Sequence, residues 1–286
     1  MESMELRAPD GARLAGSFFR AASPDAVVVV APALAVAQRH YRRLAERFAA
    51  GGLSTLTFDY RGVGESRGGS LVGDPTTLRQ WGEDDLAAAL DVAEVRAAGR
   101  PVVLLGHSFG GQALGLAPVA GRLAGALTVG AQLGWTGHFP LAQRAAMTLG
   151  FGWVVPAVTA AWGYTPGFLG LGADLPGGVV LEWGRWLRSP RYLLDHVPES
   201  DRAFAELDFP VRVVAVADDG YAPEAAVAAL AATMPTATLA RWEPAAWGLS
   251  EIGHFGLLRQ PALWDHAAEA LRGLAGVGRS TAARVA

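Results

Sequence analysis

Ser108 lies in Gly106-His107-Ser108-Phe109-Gly110, between the apolar run that starts at Pro101 and a segment rich in alanine and leucine. That spacing suits a nucleophile. A strand feeding a sharp turn presents the serine on a strained backbone, and glycines two residues to either side remove the Cβ atoms that would hold strand and helix apart. The helix then begins at the serine, so its free N–H groups face any negative charge that develops there. In a chain with 36 glycines the Gly-x-Ser-x-Gly pattern alone is weak. It gains weight from its strand–turn–helix context.

A serine hydroxyl needs a general base, and the base needs an acid to orient it. The chain has six histidines. His107 should point back into the sheet, His40 and His266 fall on expected helices, and His138 and His196 lie in an aromatic-rich middle segment. His254 alone sits on a loop between the last strand and the last helix, at the carboxyl edge of the expected sheet, where open α/β sheets place their chemistry. Asp218 and Asp219 end an apolar strand at the same edge. We assign the acid to Asp219, whose spacing to Pro223 suits that role, over Asp218; the bland alternative is a carboxylate that caps the helix starting near Pro223. The other place for an acid, after the strand that follows Ser108, reads Thr-Val-Gly-Ala-Gln-Leu-Gly-Trp and holds no carboxylate.

Such groups meet only if the intervening chain folds to bring them together. Pro9-Asp10-Gly11 between two partly apolar arms predicts an opening β-hairpin. "AVVVVAPAL" is an apolar β-branched run suited to a strand covered on both faces. Tyr41, Leu44, Ala45 and Phe48 then recur at helical spacing before paired glycines, and "LSTLTF" is the next strand. Thr77 with Gln80 forms a capping box ahead of a helix that stops at Gly99. Further strands are expected at "PVVLL", "GALTV", "VRVVAV" and "TATLARW", with helices after Ser108, from Pro223, and from Pro261 to about Gly273. This alternation implies a mainly parallel central sheet with helices on both faces. Residues 1–134 and 206–275 form its two parts, 135–205 an inserted helical cap with five of the nine tryptophans, and 276–286 a flexible tail.

The composition limits the alternatives. At 286 residues and 51% hydrophobic, the chain can bury one large core. Its net charge of −3 and singly scattered arginines give no footprint for nucleic acid or an anionic membrane. Without cysteine, neither a thiolate nor a disulfide takes part. The charged start shows no secretory signal, which implies a cytoplasmic protein. Ala145–Trp162 is uncharged over a membrane-like length, but Gly150, Gly152 and Pro156 interrupt it, so it reads as a buried or lid helix and no stable membrane insertion is expected. No metal cluster, phosphate loop or dinucleotide fingerprint is present, so no cofactor is expected. The expected partner is a small-molecule substrate, and homodimer formation is left open.

The order Ser108, Asp219, His254 is that of α/β hydrolases, and the chain resembles that family over nearly its whole length. "FDYRGVGES" resembles the loop these proteins carry after their fourth strand. "PALAVAQRHYRRLAERFAAGG", "LPGGVVLEWGRWLRSPRY" and "IGHFGLLR" resemble a bacterial branch with a hydrolase role. The resemblance implies a serine hydrolase, esterase-like, acting on an ester or thioester. Acyl transfer, C–C bond hydrolysis, cyclisation or simple ligand binding on the same scaffold remain alternatives. Many relatives carry His-Gly where this chain has Ala31-Pro32-Ala33-Leu34, and Pro32 has no N–H. The oxyanion donors are then the N–H of Phe109 and that of Leu34 or, failing it, Ala33. Asp59 and Arg61 are expected to brace their loop through a local ion pair. Of the cap aromatics Trp135, Trp153, Trp162, Tyr164, Trp183, Trp186 and Tyr192, about a third should face an uncharged, largely apolar substrate, with Trp135, Trp162 and Trp183 assigned to it.

Overall fold

A computed structural model describes residues 1–276. The part of the expected flexible tail at 277–286 lies outside the described residues. Among them, eight strands form one sheet in the order β1-β2-β4-β3-β5-β6-β7-β8. They are β1 (Glu2–Arg7), β2 (Arg13–Phe19), β3 (Ala26–Ala31), β4 (Leu53–Phe58), β5 (Val102–His107), β6 (Gly125–Val129), β7 (Val211–Val216) and β8 (Ala237–Trp242). β1 and β2 are the expected hairpin, in register from Glu2↔Phe18 to Arg7↔Arg13. Its turn closes with Ala8 N–H on the Ala12 carbonyl and Gly11 at φ +90°. β2 runs antiparallel to β4, and from β4 to β8 every pairing is parallel.

β3 and β5 show why parallel strands read as unbroken apolar runs. Both are buried throughout. Val27 and Val29 join Leu104 in one apolar cluster, whereas Val28 and Val30 join Val103 and Leu105 in the other, so alternate residues serve opposite faces of the sheet. The helices Arg42–Ala50 and Pro261–Leu274 cover the second face through Leu44, Phe48, Leu263 and Leu271. Ala87–Ala97 covers the first face through Ala89, Leu90 and Ala93. The capping box forms as expected, Thr77 accepting from the Gln80 N–H, and that helix ends on left-handed Ala98. Its first turns, Trp81–Leu86, widen into a π-helix that buries Asp85.

Two expectations are corrected. The helix after Ser108 is one turn, Phe109–Gln112, followed by a 3-10 turn at Ala113–Gly115. Gly110, Gly111 and Gly115 weaken it, and the Phe204 ring packs where a Cβ of Gly115 would stand. Conversely, Gly150, Gly152 and Pro156 do not break the next segment. Leu141–Trp162 is one continuous helix of 22 residues with a π-helical turn at Gly150–Val154. Pro156 has no N–H to give, and the Phe151 carbonyl one wide turn earlier accepts from Arg188 Nη1 at 3.4 Å. The helix is not buried either: Val155 and Thr159 are its buried residues.

Leu141–Trp162 belongs to the chain between β6 and β7, with helices Gly177–Leu187 and Pro198–Ala205. Leu175, Val179, Trp186, Leu193 and Phe204 of this segment join the first apolar cluster of the sheet, so it shares that core.

Candidate active site

β5 ends at His107, and Ser108 turns the chain at φ 52°, ψ −116°, outside the regions open to a residue with a Cβ. Such a conformation costs about 1–3 kcal/mol and persists only when its surroundings enforce it. The enforcement is visible. Ser108 N–H donates to the Val129 carbonyl on β6 at 2.9 Å, and Gly111 N–H returns to the Ser108 carbonyl at 2.9 Å. A Cβ on Gly106 would stand 2.6 Å from the Gly111 backbone, and one on Gly110 would overlap the Ala31 carbonyl. The two glycines are therefore required by close backbone approach. Ser108 itself is half-buried.

The two neighbouring aspartates divide the work. His254 Nδ1 lies 2.7 Å from Asp219 Oδ2, with both residues buried. Asp219 Oδ1 accepts from the N–H groups of Tyr221 and Ala222, each at 2.8 Å. With Nδ1–H donated to a fixed carboxylate, Nε2 keeps its lone pair. Asp218 does not cap the following helix; its oxygens accept from Ile252 N–H at 2.9 Å and Gly253 N–H at 3.0 Å and pin the loop that carries His254. Burial raises the Asp218 pKa, but the bonds from Gly253 and Ile252 outweigh it and hold the carboxyl below its ordinary range. Gly130, at the end of β6, explains the missing carboxylate on that strand. A Cβ there would press 3.2 Å from Asp219 Oδ2 and from the His254 ring.

His107 links these parts. Its Nε2 is 2.9 Å from the His254 carbonyl and its Nδ1 is 2.7 Å from Tyr41 Oη. A carbonyl only accepts, so Nε2 carries the proton and Nδ1 accepts from the Tyr41 hydroxyl. Tyr41 Oη in turn accepts from Ala33 N–H at 2.9 Å. The chain of bonds runs from Ala33 through Tyr41 and His107 to the backbone of His254, with both side chains fully buried. Burial, helped by the nearby His254, lowers the His107 pKa to about 3, so its ring stays neutral. Burial likewise pushes the Tyr41 hydroxyl up, against the bond from Ala33. Nothing in the sequence flags this chain of bonds, because its partners are 8, 66 and 147 residues apart.

That bond removes Ala33 from the choice of oxyanion donors. Leu34 N–H and Phe109 N–H have no backbone partner among the described residues. Ala35, just beyond, holds φ 64°, a left-handed conformation rare for alanine, and Val36 N–H closes the turn on the Ala33 carbonyl at 3.1 Å.

Asp59 and Arg61 brace their loop, but not by pairing with each other. Asp59 accepts from Gln38 N–H at 2.6 Å and Glu65 N–H at 2.9 Å, and burial raises its pKa against those bonds. Arg61 bonds Asp85 through Nε at 2.7 Å and through its backbone N–H at 2.8 Å, and also pairs with Asp10. Asp85 is pushed up to about 6 by burial, with Arg61 opposing the rise. The π-helical turn is what swings Asp85 inward. Sequence spacing does not show it.

The cap aromatics other than half-buried Tyr164 separate into three groups. Trp186 and Tyr192 are core, Tyr192 holding φ 57° and placing its hydroxyl 3.1 Å from Gln112 Oε1 on the turn after Ser108. Trp153 and Trp162 face outward, 74% and 49% exposed, and Trp162 packs edge-on against Phe168. The assignment of Trp162 to substrate is therefore corrected. Trp183 packs against Phe151 with ring centroids 4.9 Å apart. Trp135 is half-buried beside His138 and under the Arg144 guanidinium, on the loop whose Gln132 donates to the Tyr221 carbonyl at 2.8 Å. Tyr221, 59% exposed, lies 5.3 Å from the His254 ring and was not singled out from sequence. Among the described residues no three His, Asp or Glu side chains gather as a metal site would require.

The family model described as serine aminopeptidase, S33, matches residues 22–169, just over half of the chain. Solved structures with the same fold include DcsB in complex with its substrate analogue, at 18% identity and TM-score 0.64, covering 96% of this chain and 98% of that one. An esterase from Exiguobacterium antarcticum has 15% identity and TM-score 0.63, with 96% and 100% covered. A thermophilic esterase from Thermogutta terrifontis, with malate bound, has 18% identity and TM-score 0.60, with 96% and 99% covered. No curated relative matches the chain.

Proposed function

Since the chain belongs to the serine aminopeptidase S33 family of α/β hydrolases, we propose that it is a cytoplasmic serine hydrolase cleaving a carboxylic ester or thioester of a small, largely apolar acyl group. The observation that carries this reading is the His254–Asp219 bond of 2.7 Å, with the His254 carbonyl 2.9 Å from Nε2 of His107, the residue that precedes Ser108 in its strained turn. Ser108 Oγ attacks the carbonyl carbon while His254 Nε2 takes the hydroxyl proton. Asp219 fixes the ring and stabilises the imidazolium that forms. The N–H groups of Phe109 and Leu34 stabilise the tetrahedral oxyanion, a contribution of about 2.7–4 kcal/mol for each donor in comparable sites. His254 then returns the proton to the departing alcohol or thiol, leaving an acyl-enzyme. A water molecule, deprotonated by the same imidazole, attacks that ester, and the acid leaves as Ser108 regains its proton.

The preference for an uncharged acyl group rests on the cap. Asp174 and Glu182 are engaged by Arg67 and by the Arg79 N–H. The test is a series of p-nitrophenyl and acyl-thioester substrates of increasing chain length, together with a fluorophosphonate probe, on wild type and Ser108→Ala. Turnover and labelling by wild type alone are expected. Equal labelling of both proteins refutes the assignment.

A further inference from the structure

The helix Leu141–Trp162 has two sides that follow the same spacing of four. Met147, Phe151, Val155 and Thr159 form the inner line; Met147, Phe151 and Val155 pack on the sheet's apolar cluster. At 3.6 residues per turn a repeat of four drifts around the helix, and the π-helical turn at Gly150–Val154 reduces that drift in the middle. The opposite line is Leu141, Ala145, Leu149, Trp153, Ala157 and Ala161, and all six are exposed, Leu141 by 81%, Leu149 by 61% and Trp153 by 74%. None carries a charge. At 1.5 Å per residue the helix is about 33 Å long, so this is a large uncovered apolar strip.

Three exposed arginines stand on or near it, although they are singly scattered along the sequence. Arg144 rises from the helix itself and stacks over Trp135. Arg188 reaches the Phe151 carbonyl at 3.4 Å, and Arg185, one turn earlier, reaches the Leu181 carbonyl. All three are exposed, and among the described residues none meets a carboxylate, whereas Asp174 and Glu182 are engaged by Arg67 and the Arg79 backbone.

We infer that this face docks the protein on an anionic lipid surface, the outer line entering the headgroup region while Arg144, Arg185 and Arg188 meet lipid phosphates. The helix lies on the bilayer and does not cross it. The chain enters it from β6 and leaves it through the helices Gly177–Leu187 and Pro198–Ala205 to β7, the neighbour of β6, and Gln143 Nε2 is tied to the Gly220 carbonyl at 3.0 Å. A second copy of the chain fits less well. A two-fold contact would bring the same unpaired arginines together without a carboxylate to neutralise them. The inference holds whether or not Ser108 is a nucleophile.

The test is flotation of the full chain with vesicles of phosphatidylcholine mixed with phosphatidylglycerol, beside vesicles of phosphatidylcholine alone. Wild type should float with the mixed vesicles, and added salt should weaken it. Replacing Arg144 and Arg188 by Gln should cost about fivefold in partitioning for each guanidinium removed. Leu149→Ser with Trp153→Ser, both at exposed positions, should cost about tenfold or more. A reading that does not depend on those variants is quenching of tryptophan fluorescence by brominated phospholipid, strong in wild type and reduced in Trp153→Phe. Absence of flotation by wild type, equal flotation of wild type and variants, or a concentration-dependent dimer abolished by Trp153→Ser would overturn the inference.

Discussion

The carboxyl edge of the sheet and the outer side of the cap are held by opposite means. At the edge each polar group is fixed by several others: Ser108 through β6, His254 through Asp219, its loop through Asp218, and its carbonyl through His107. On the cap, Leu141–Trp162 keeps one line of contacts and leaves the other to solvent. Substitutions at the edge should therefore change rate steeply, because a displacement of about 1 Å there costs on the order of a hundredfold. Those on the outer cap should change rate hardly at all.

The largest expected effect is that of Ser108→Ala, a fall in kcat on the order of 10⁶-fold, read from steady-state turnover. A residual rate within tenfold of wild type would place the chemistry elsewhere. The aspartate pair sharpens the contrast within the edge itself. Asp219→Asn should lower kcat by about 10⁴-fold, since an amide presents the wrong partner to Nδ1. Asp218→Asn keeps an oxygen for one of its two backbone donors and should lower kcat by about a hundredfold or less. Equal losses would mean that the two carboxylates share one function.

What was legible in the sequence follows the same division. Gly106, Gly110 and Gly130 each face backbone or side-chain atoms a few ångströms away, so the glycine spacing read in its strand–turn–helix context exposed the turn, and the lack of a carboxylate after β6 sent the acid to the later strand. Asp219 could be preferred to Asp218, but the second carboxylate's bonds to residues 252 and 253 could not be foreseen, because they join two loops at the end of the sheet. Tyr41, His107 and Asp85 escaped for the same reason: their partners are distant, and nothing local distinguishes them from core. Helix breakers misled in the cap, where a π-helical turn accommodated Pro156. Tryptophans were equally ambiguous. Burial of Trp186 and exposure of Trp162 are tertiary outcomes that composition does not carry.

Breaking the buried chain of bonds should have a smaller effect than touching the acids. Tyr41→Phe leaves Ala33 N–H and His107 Nδ1 without their partner, at a cost of about 1–3 kcal/mol in stability. We expect kcat to fall about tenfold with KM nearly unchanged, since the groups displaced are the oxyanion turn and the backbone of His254. An unaltered kcat would make the tyrosine purely structural. The neighbouring histidine gives a pH signature. His107 is lowered to about 3 from an ordinary 6.5, so the unfolded chain takes up its proton first as pH falls. The stabilisation is complete above 6.5 and is lost between 6.5 and about 3, with a slope approaching ~1.4 kcal/mol per pH unit. Urea midpoints at several pH values should show this acid loss in wild type and a shallower one in His107→Gln, which offers a donor and an acceptor but no titrating ring.

The smallest effect expected is at Trp162. Its indole meets Phe168 and solvent at the far end of the long helix, so Trp162→Ala should alter KM by less than about twofold and stability by about 0.5 kcal/mol or less, as exposed substitutions do. Trp135→Ala removes a half-buried ring from the loop that reaches Tyr221, and KM for the longer acyl esters should rise several-fold while short esters are spared. Chain-length profiles of the two variants side by side separate the alternatives. A larger loss in Trp162→Ala than in Trp135→Ala would require the cap to fold inward during turnover, bringing its outer surface over Ser108 and erasing the division between the two regions.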